Sequence, residues 1–315
     1  MGQDLFGLYE VQGSAWILSS GERHMNIRTR YYSATFLIPA CVIYFVFFLF
    51  PTVIGFYYSF TDLDIQRNTP ERFVGFDNFR YLFQDSGFKL AVSNTVKFAV
   101  VTLVFKTAFG LGLAILVNSN LKVRHYLRTI FYLPTILSMI VVGIMFSSVF
   151  QYEGLLNNFL SEIGLSRWIM DWTGDVRSAL GTTMVLEIWK WSGMTMAIFL
   201  SGLQSIPKDY YEAAYIDGAG PWSRFRHVTL PLLTPSMNVV VTLSLIGGFR
   251  VFDSIYVLTR GGPGNRTEVI NTLVFKEFGQ GLYGRGSAMT LMLVAVIAII
   301  SLSLSAYFKR KELEL

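Results

Sequence analysis

The sequence predicts an all-α integral membrane protein with about six transmembrane helices and a cytoplasmic helix-turn-helix between the fourth and the fifth. Three observations carry this prediction. Of 315 residues, 52% are hydrophobic and only 15% charged, where a soluble domain carries about 25% charged residues. Mean hydropathy is positive, at +0.46. Six windows, near 34–60, 91–117, 129–151, 180–204, 229–257 and 286–307, reach the roughly 20 apolar residues a spanning helix needs, because the hydrocarbon core offers backbone polar groups no water. None of them shows the alternation of a transmembrane barrel strand.

Around the spans the organisation is simple. A cytoplasmic segment 1–33 leads into one transmembrane domain, 34–307, and a cytoplasmic tail 308–315 follows it. Segment 1–32 lacks the short apolar core and small-residue cleavage site of a secretory signal, so Phe36–Phe60 is expected to be a retained span. Segments 1–32, 118–128, 204–228 and 308–315 hold 12 basic residues in 76, against 10 in 88 for segments 61–90, 152–179 and 256–285. This bias, with Lys122, Arg124 and Arg128 and the Lys309-Arg310-Lys311 cluster directly at helix ends, places both termini in the cytoplasm. The outer loops are then 61–90, 152–179 and 258–285. Phe73–Phe83 reads as an amphipathic surface helix in the first; Trp168 and Trp172 in the second suit an interfacial aromatic belt.

Several functions are excluded early. The net charge of +5 comes from scattered loop residues and not from a basic stripe with interleaved aromatics, so it points to an anionic lipid surface and not to nucleic acid. Cys41 is the one cysteine, and His24, His125 and His227 lack ligand spacing, so no metal site is expected.

The polar stretch between the fourth and fifth spans, loop 205–228 running on into the fifth span, is the most informative. Asp209 and Glu212 favour the start of a helix after Pro207. Asp217-Gly218 and Gly220-Pro221 break it, and Trp222–Val228 can form a second short helix. The order Glu212-Ala213-Ala214, Gly218 after three residues and Val228-Thr229-Leu230-Pro231 after nine more resembles the hallmark loop of the permeases of binding-protein-dependent ABC importers, with Val228 in place of Ile as the single departure. Leu258-Thr259-Arg260-Gly261-Gly262-Pro263 and Phe73-Val74-Gly75-Phe76-Asp77-Asn78-Phe79 resemble segments of the carbohydrate branch, and the chain most resembles its maltose-type permease with the longer N-terminal region.

The resemblance implies that the loop is an ATPase-coupling element, with Glu212 facing polar groups of the ATPase, Ala213 and Ala214 allowing close approach, and Asp217, Gly218, Leu230 and Pro231 completing the motif. It implies a second homologous permease, two ATPase subunits carrying MgATP, and an external solute-binding protein that delivers a sugar or sugar-like solute across the bacterial inner membrane. No G-x-x-x-x-G-K-[ST] phosphate loop occurs in the chain, so no cofactor or catalytic residue is expected on it, and hydrolysis falls to a partner.

Ionisable residues inside spans are functional candidates by default. Glu187, Trp191 and Met194 share one face of the fourth span by i, i+4, i+7 spacing. Phe249, Arg250 and Asp253 on the fifth span, and Thr135 and Ser138 after the helix-bending Pro134 on the third, complete a candidate substrate path. The same charges are equally suited to structural pairing, with Arg250 as the shared cation, and Lys97 and Lys190 to snorkelling. Lys106 has no evident partner in the sequence. Intramembrane acids also leave an ion-coupled secondary transporter as the alternative, although the repeats of such folds are not found.

Overall fold

The computed structural model describes residues 34–67, 71–119 and 121–313; the expected cytoplasmic segment 1–33 and the last two residues of the tail lie outside them. The chain divides at Gly55–Phe56 into two units. In the first lies most of α1 (Ile38–Tyr58), whose side chains are exposed and apolar, as suits a helix solvated by lipid. Its Thr52 hydroxyl donates to the Phe48 carbonyl one turn back, 2.6 Å, so this polar group needs no water.

Among the described residues the regular structure of the second unit is helical, apart from two isolated bridge pairs, Thr61 with Phe73 and Asp64 with Leu282. Its helices are α2 (Asp77–Gln84), α3 (Ser86–Asn118), α4 (Arg124–Ile136), α5 (Met139–Phe150), α6 (Leu155–Glu162), α7 (Ala179–Ser205), α8 (Lys208–Ile216), α9 (Pro221–Leu232), α10 (Thr234–Phe249), α11 (Asp253–Leu258), α12 (Ile270–Gly279) and α13 (Tyr283–Leu313). By length and apolarity four helical stretches among the described residues can cross a membrane, and five if the bent pair α9 and α10 is one span. α7 is long enough at 27 residues, but Glu187 and Lys190 with their polar neighbours lower its apolarity.

Two expected spans are broken. The third window is not one helix: α4 ends two residues after Pro134, and Leu137 and Ser138 are extended before α5 begins. Proline removes an N–H from the ladder and crowds the preceding turn. The fifth window is bent by 69° between α9 and α10, where Pro231 and Pro235 flank the turn, and is interrupted again at Arg250–Phe252 before α11.

The centre of the unit is the crossing of α3 with α7, flanked by α4 and α10. Small residues let these backbones approach, as in many membrane interfaces: a Cβ on Gly193 of α7 would strike the Phe131 carbonyl of α4, and one on Gly248 would meet the backbone of Ala99. At the end near α8, Ala114, Val117, Phe199, Leu203, Leu233 and Val240 pack together. At the other end Leu82, Phe88, Ala99, Phe249, Met289 and Leu293 do the same.

The loops at that far end are pinned by buried amides. Asn78 donates to the Ser59 and Thr61 carbonyls at 2.9 and 2.7 Å. Asn94 of α3 holds the Arg266 and Glu268 carbonyls at 2.8 and 2.9 Å. The expected surface helix Phe73–Phe83 begins only at Asp77, because Gly75 turns the chain with φ +59 and Phe73 pairs with Thr61. Trp168 is exposed, but Trp172 is half-buried: its indole N–H donates to Asn157 Oδ1 at 2.8 Å, closing the loop on itself.

Glu277 of α12 is half-buried, and its Oε2 has no hydrogen-bond donor among the described residues. Burial pushes its carboxyl above the ordinary value of 4.5; Arg285 opposes the shift, Asp85 adds to it and Lys276 opposes it. Between the unfolded and the raised folded value the folded chain holds more protons, so stability falls as pH rises through that window. Glu277→Gln is therefore expected to raise the melting temperature at about pH 7 and to leave it unchanged below the ordinary carboxylate range. Melting curves of both proteins in detergent across pH test this; an equal melting temperature at neutral pH would refute it.

Candidate functional site

A cavity of about 380 Å³ opens between α3, α5, α7 and the α10–α11 break. α7 contributes Glu187, Trp191, Met194 and Thr195; α10, the break and the start of α11 contribute Ser244, Arg250, Phe252, Asp253 and Ser254; Lys106 of α3 and Met139 of α5 close it. Non-helical backbone at this depth is tolerated because it is shielded by protein or lines a hollow.

Five of the eight residues expected to line a path meet here: Glu187, Trp191, Met194, Arg250 and Asp253. The other three are elsewhere. Phe249 is 6% exposed and belongs to the apolar cluster with Leu82 and Phe88, since one step along a helix turns a side chain by about 100° away from Arg250. The Thr135 hydroxyl donates to the Lys190 carbonyl at 3.0 Å. Ser138 is exposed at the start of α5, without a side-chain capping bond. Among cavity residues the sequence reading missed, Thr195 could have been found as the i+4 neighbour of Trp191; Ser244 carries no comparable signal.

The electrostatics differ from the expected pairing. Lys106 finds its partner in Glu187, Nζ to Oε1 at 3.7 Å, with side chains only 4% and 10% exposed. Arg250 and Asp253 are exposed to the cavity, and neither forms an ion pair among the described residues. Two cations and two carboxylates thus line the hollow, and its formal charge is zero. Lys190 does not reach a membrane surface: it is buried, and its ammonium donates to three carbonyls at the α4–α5 break. A second hollow, about 920 Å³ between α3, α4 and α7, is lined almost wholly by apolar residues such as Phe105, Phe109, Ile188 and Trp189, and offers a polar solute little to bind.

α7 continues, two residues after its end, into the α8–α9 hairpin. α8 closes as a Schellman turn: the Gly218 N–H donates to the Tyr215 carbonyl at 3.0 Å and the Ala219 N–H to the Ala214 carbonyl at 2.9 Å. Gly218 has φ +75, a conformation open to glycine at no steric cost. Asp217 occupies the C-cap just before it. Tyr211 Oη and Thr229 Oγ1 are 3.1 Å apart, tying α8 to the start of the next span. Glu212 and Ala213 are exposed, Ala214, Leu230 and Pro231 half-buried, and Tyr215, Ile216 and Trp222 are more than two-thirds exposed. An exposed aromatic and aliphatic face on a polar hairpin is the mark of a protein contact.

A helical bundle with broken spans around a polar cavity and an exposed hairpin on the cavity's own helix defines a membrane permease. The chain belongs to the family of binding-protein-dependent transport system inner membrane components, which it matches over residues 106–312. It is a transmembrane permease subunit of an ABC importer, and the ion-coupled alternative is not favoured. It is 37% identical to the arabinooligosaccharides transport system permease protein AraP of Bacillus subtilis, over 87% of this chain and 88% of that one. It is 35% identical to the trehalose/maltose transport system permease protein MalF of Thermococcus litoralis, over 86% and 92%. A chain in the crystal structure of a bacterial alginate ABC transporter, in complex with an alginate pentasaccharide-bound periplasmic protein, is similar with TM-score 0.76 and 27% identity, covering 88% of this chain and 93% of that one.

Proposed function

We propose that this chain forms one half of the path by which a neutral sugar or sugar-like solute, delivered by an external binding protein, crosses a bacterial inner membrane at the expense of ATP. A second homologous permease completes the path. Two ATPase subunits bind and hydrolyse MgATP, and the α8–α9 hairpin, with Glu212, Ala213, Ala214 and Gly218, seats on one of them. The chain spans six times, with both termini and the hairpin on the cytoplasmic side.

The observation that carries this reading is the continuity of α7, which lines the cavity through Glu187, Trp191 and Met194 and then runs into the hairpin. The 18 residue-to-residue steps from Glu187 to Ser205 span about 27 Å of rigid helix. A displacement imposed on the hairpin when the ATPases close thus reaches the cavity wall. The cavity suits a neutral polyhydroxyl compound: cancelling charges at Arg250 and Asp253 offer donors and acceptors to hydroxyls, Ser244 and Ser254 add more, and Trp191 and Phe252 offer apolar faces to a ring. That relatives are named for transport of arabinooligosaccharides and of trehalose or maltose supports the same class.

Affinity purification of the tagged chain from its native membranes, followed by mass spectrometry and an ATPase assay, tests the assembly. A second permease and an ATPase are expected to co-purify, with ATPase activity stimulated by the sugar-loaded binding protein. A lone chain that takes up solute in liposomes without ATP would overturn the reading.

A further inference from the structure

Lys190 is a buried cation for which substrate binding has no use. It is 3% exposed, and its Nζ donates to the carbonyls of Pro134, Thr135 and Leu137 at 3.1, 3.4 and 2.5 Å. Thr135 returns a bond to the Lys190 carbonyl, and the Trp191 ring lies 5.2 Å from the ammonium. No carboxylate among the described residues forms an ion pair with Lys190; Glu187, one turn away, is held by Lys106.

The break between α4 and α5 explains this arrangement. A helix end leaves its last carbonyls without donors, and inside a bilayer no water supplies them. An ammonium group has three donors and is favourable at a helix C-terminus, so Lys190 caps α4 from a different helix. Immediately beyond the break, Met139 of α5 lines the cavity. Gly143 of α5 packs against Val257 of α11, on the cavity's other broken span.

We propose that Lys190 is a positioning residue, the pin that ties the α4–α5 break to α7 and transmits movement of α7 to the cavity wall at Met139. The transport part of this proposal rests on the ATP-driven reading above; the pin itself does not. The test uses the complete complex in nanodiscs and proteoliposomes, with Cys41 replaced by Ser and spin labels at Ile144 of α5 and Val185 of α7, both exposed. Lys190→Met is expected to broaden the label distance distribution and to lower solute taken up per ATP hydrolysed by about tenfold. Lys190→Arg, which keeps a cation with several donors, is expected to restore both.

An unchanged distribution in Lys190→Met overturns the pin. A broadened one with unchanged uptake per ATP overturns its role in transmission. Should Lys190→Met fail to assemble, Lys190→Gln, shorter and uncharged and so unable to reach all three carbonyls, is expected to broaden the same distribution; an unchanged one overturns the pin equally. Absence of ATP-driven uptake in the unaltered complex would sink the ATP-driven reading and leave the distance measurement standing.

Discussion

Glu187→Gln is expected to destabilise the folded chain by about 3–5 kcal/mol, because removing one partner of a buried ion pair leaves the other charge uncompensated. Here that charge is Lys106, 3% exposed and left without its one ion-pair partner among the described residues. Lys106→Met is expected to cost less, since Glu187 then has Lys190 one turn away to neutralise. The double variant Lys106→Met/Glu187→Gln should recover at least about 1 kcal/mol relative to Glu187→Gln alone, the coupling of residues in direct contact. Denaturant unfolding in mixed micelles measures all three. If Glu187→Gln unfolds with the unaltered chain, the pair is not a net contributor to stability and its charges are compensated by solvent in the cavity.

This pair shows where sequence reading stops. Apolar windows place the long helices because hydropathy over twenty residues reports the solvent a segment prefers, and that preference survives folding. The i, i+4, i+7 spacing groups Glu187, Trp191 and Met194 correctly, since a helix fixes which side chains share a face. Which helix that face meets is a tertiary fact. Lys106 and Glu187 are 81 residues apart, and only the close packing of α3 on α7 brings them to 3.7 Å. Phe249 illustrates a finer failure: it is adjacent to Arg250 in sequence, yet it packs into the far-end core while Arg250 faces the cavity.

The breaks were legible in part. Pro134 announces a bend, but the interruption falls at Leu137–Ser138, and its depth in the membrane is sustained by a lysine donated from α7. Hydropathy averages carry no information about such caps; they register Lys190 only as a cost. The interruption at Arg250–Phe252 has no proline and no glycine within it, and Gly247-Gly248 just before it is the local sign of a break. The hairpin was the most legible feature, because its turn chemistry is local: Gly218 is needed at positive φ, and the Schellman bonds follow from that one residue.

Glu212→Lys is expected to reduce ATP-driven uptake at least about 30-fold, the equivalent of about 2 kcal/mol in association with a partner when a charge at a contact is reversed. The argument rests on the position of Glu212 and not on its stability contribution. It is exposed on α8 and forms no ion pair among the described residues, so its replacement should change the chain's own unfolding by no more than about 0.5 kcal/mol. It stands instead at the edge of a shallow groove with Lys208, Tyr211, Tyr215 and Arg224, on a face whose exposed Ile216 and Trp222 leave substantial apolar surface to be covered. The variant should therefore fold, reach the membrane and retain the second permease, while the ATPase no longer co-purifies and sugar binding by the external protein is intact. Purification of the tagged variant beside an uptake assay separates these outcomes. Uptake at the level of the unaltered complex, with the ATPase retained, would remove Glu212 from the contact and send the search for the coupling surface to other residues of the hairpin.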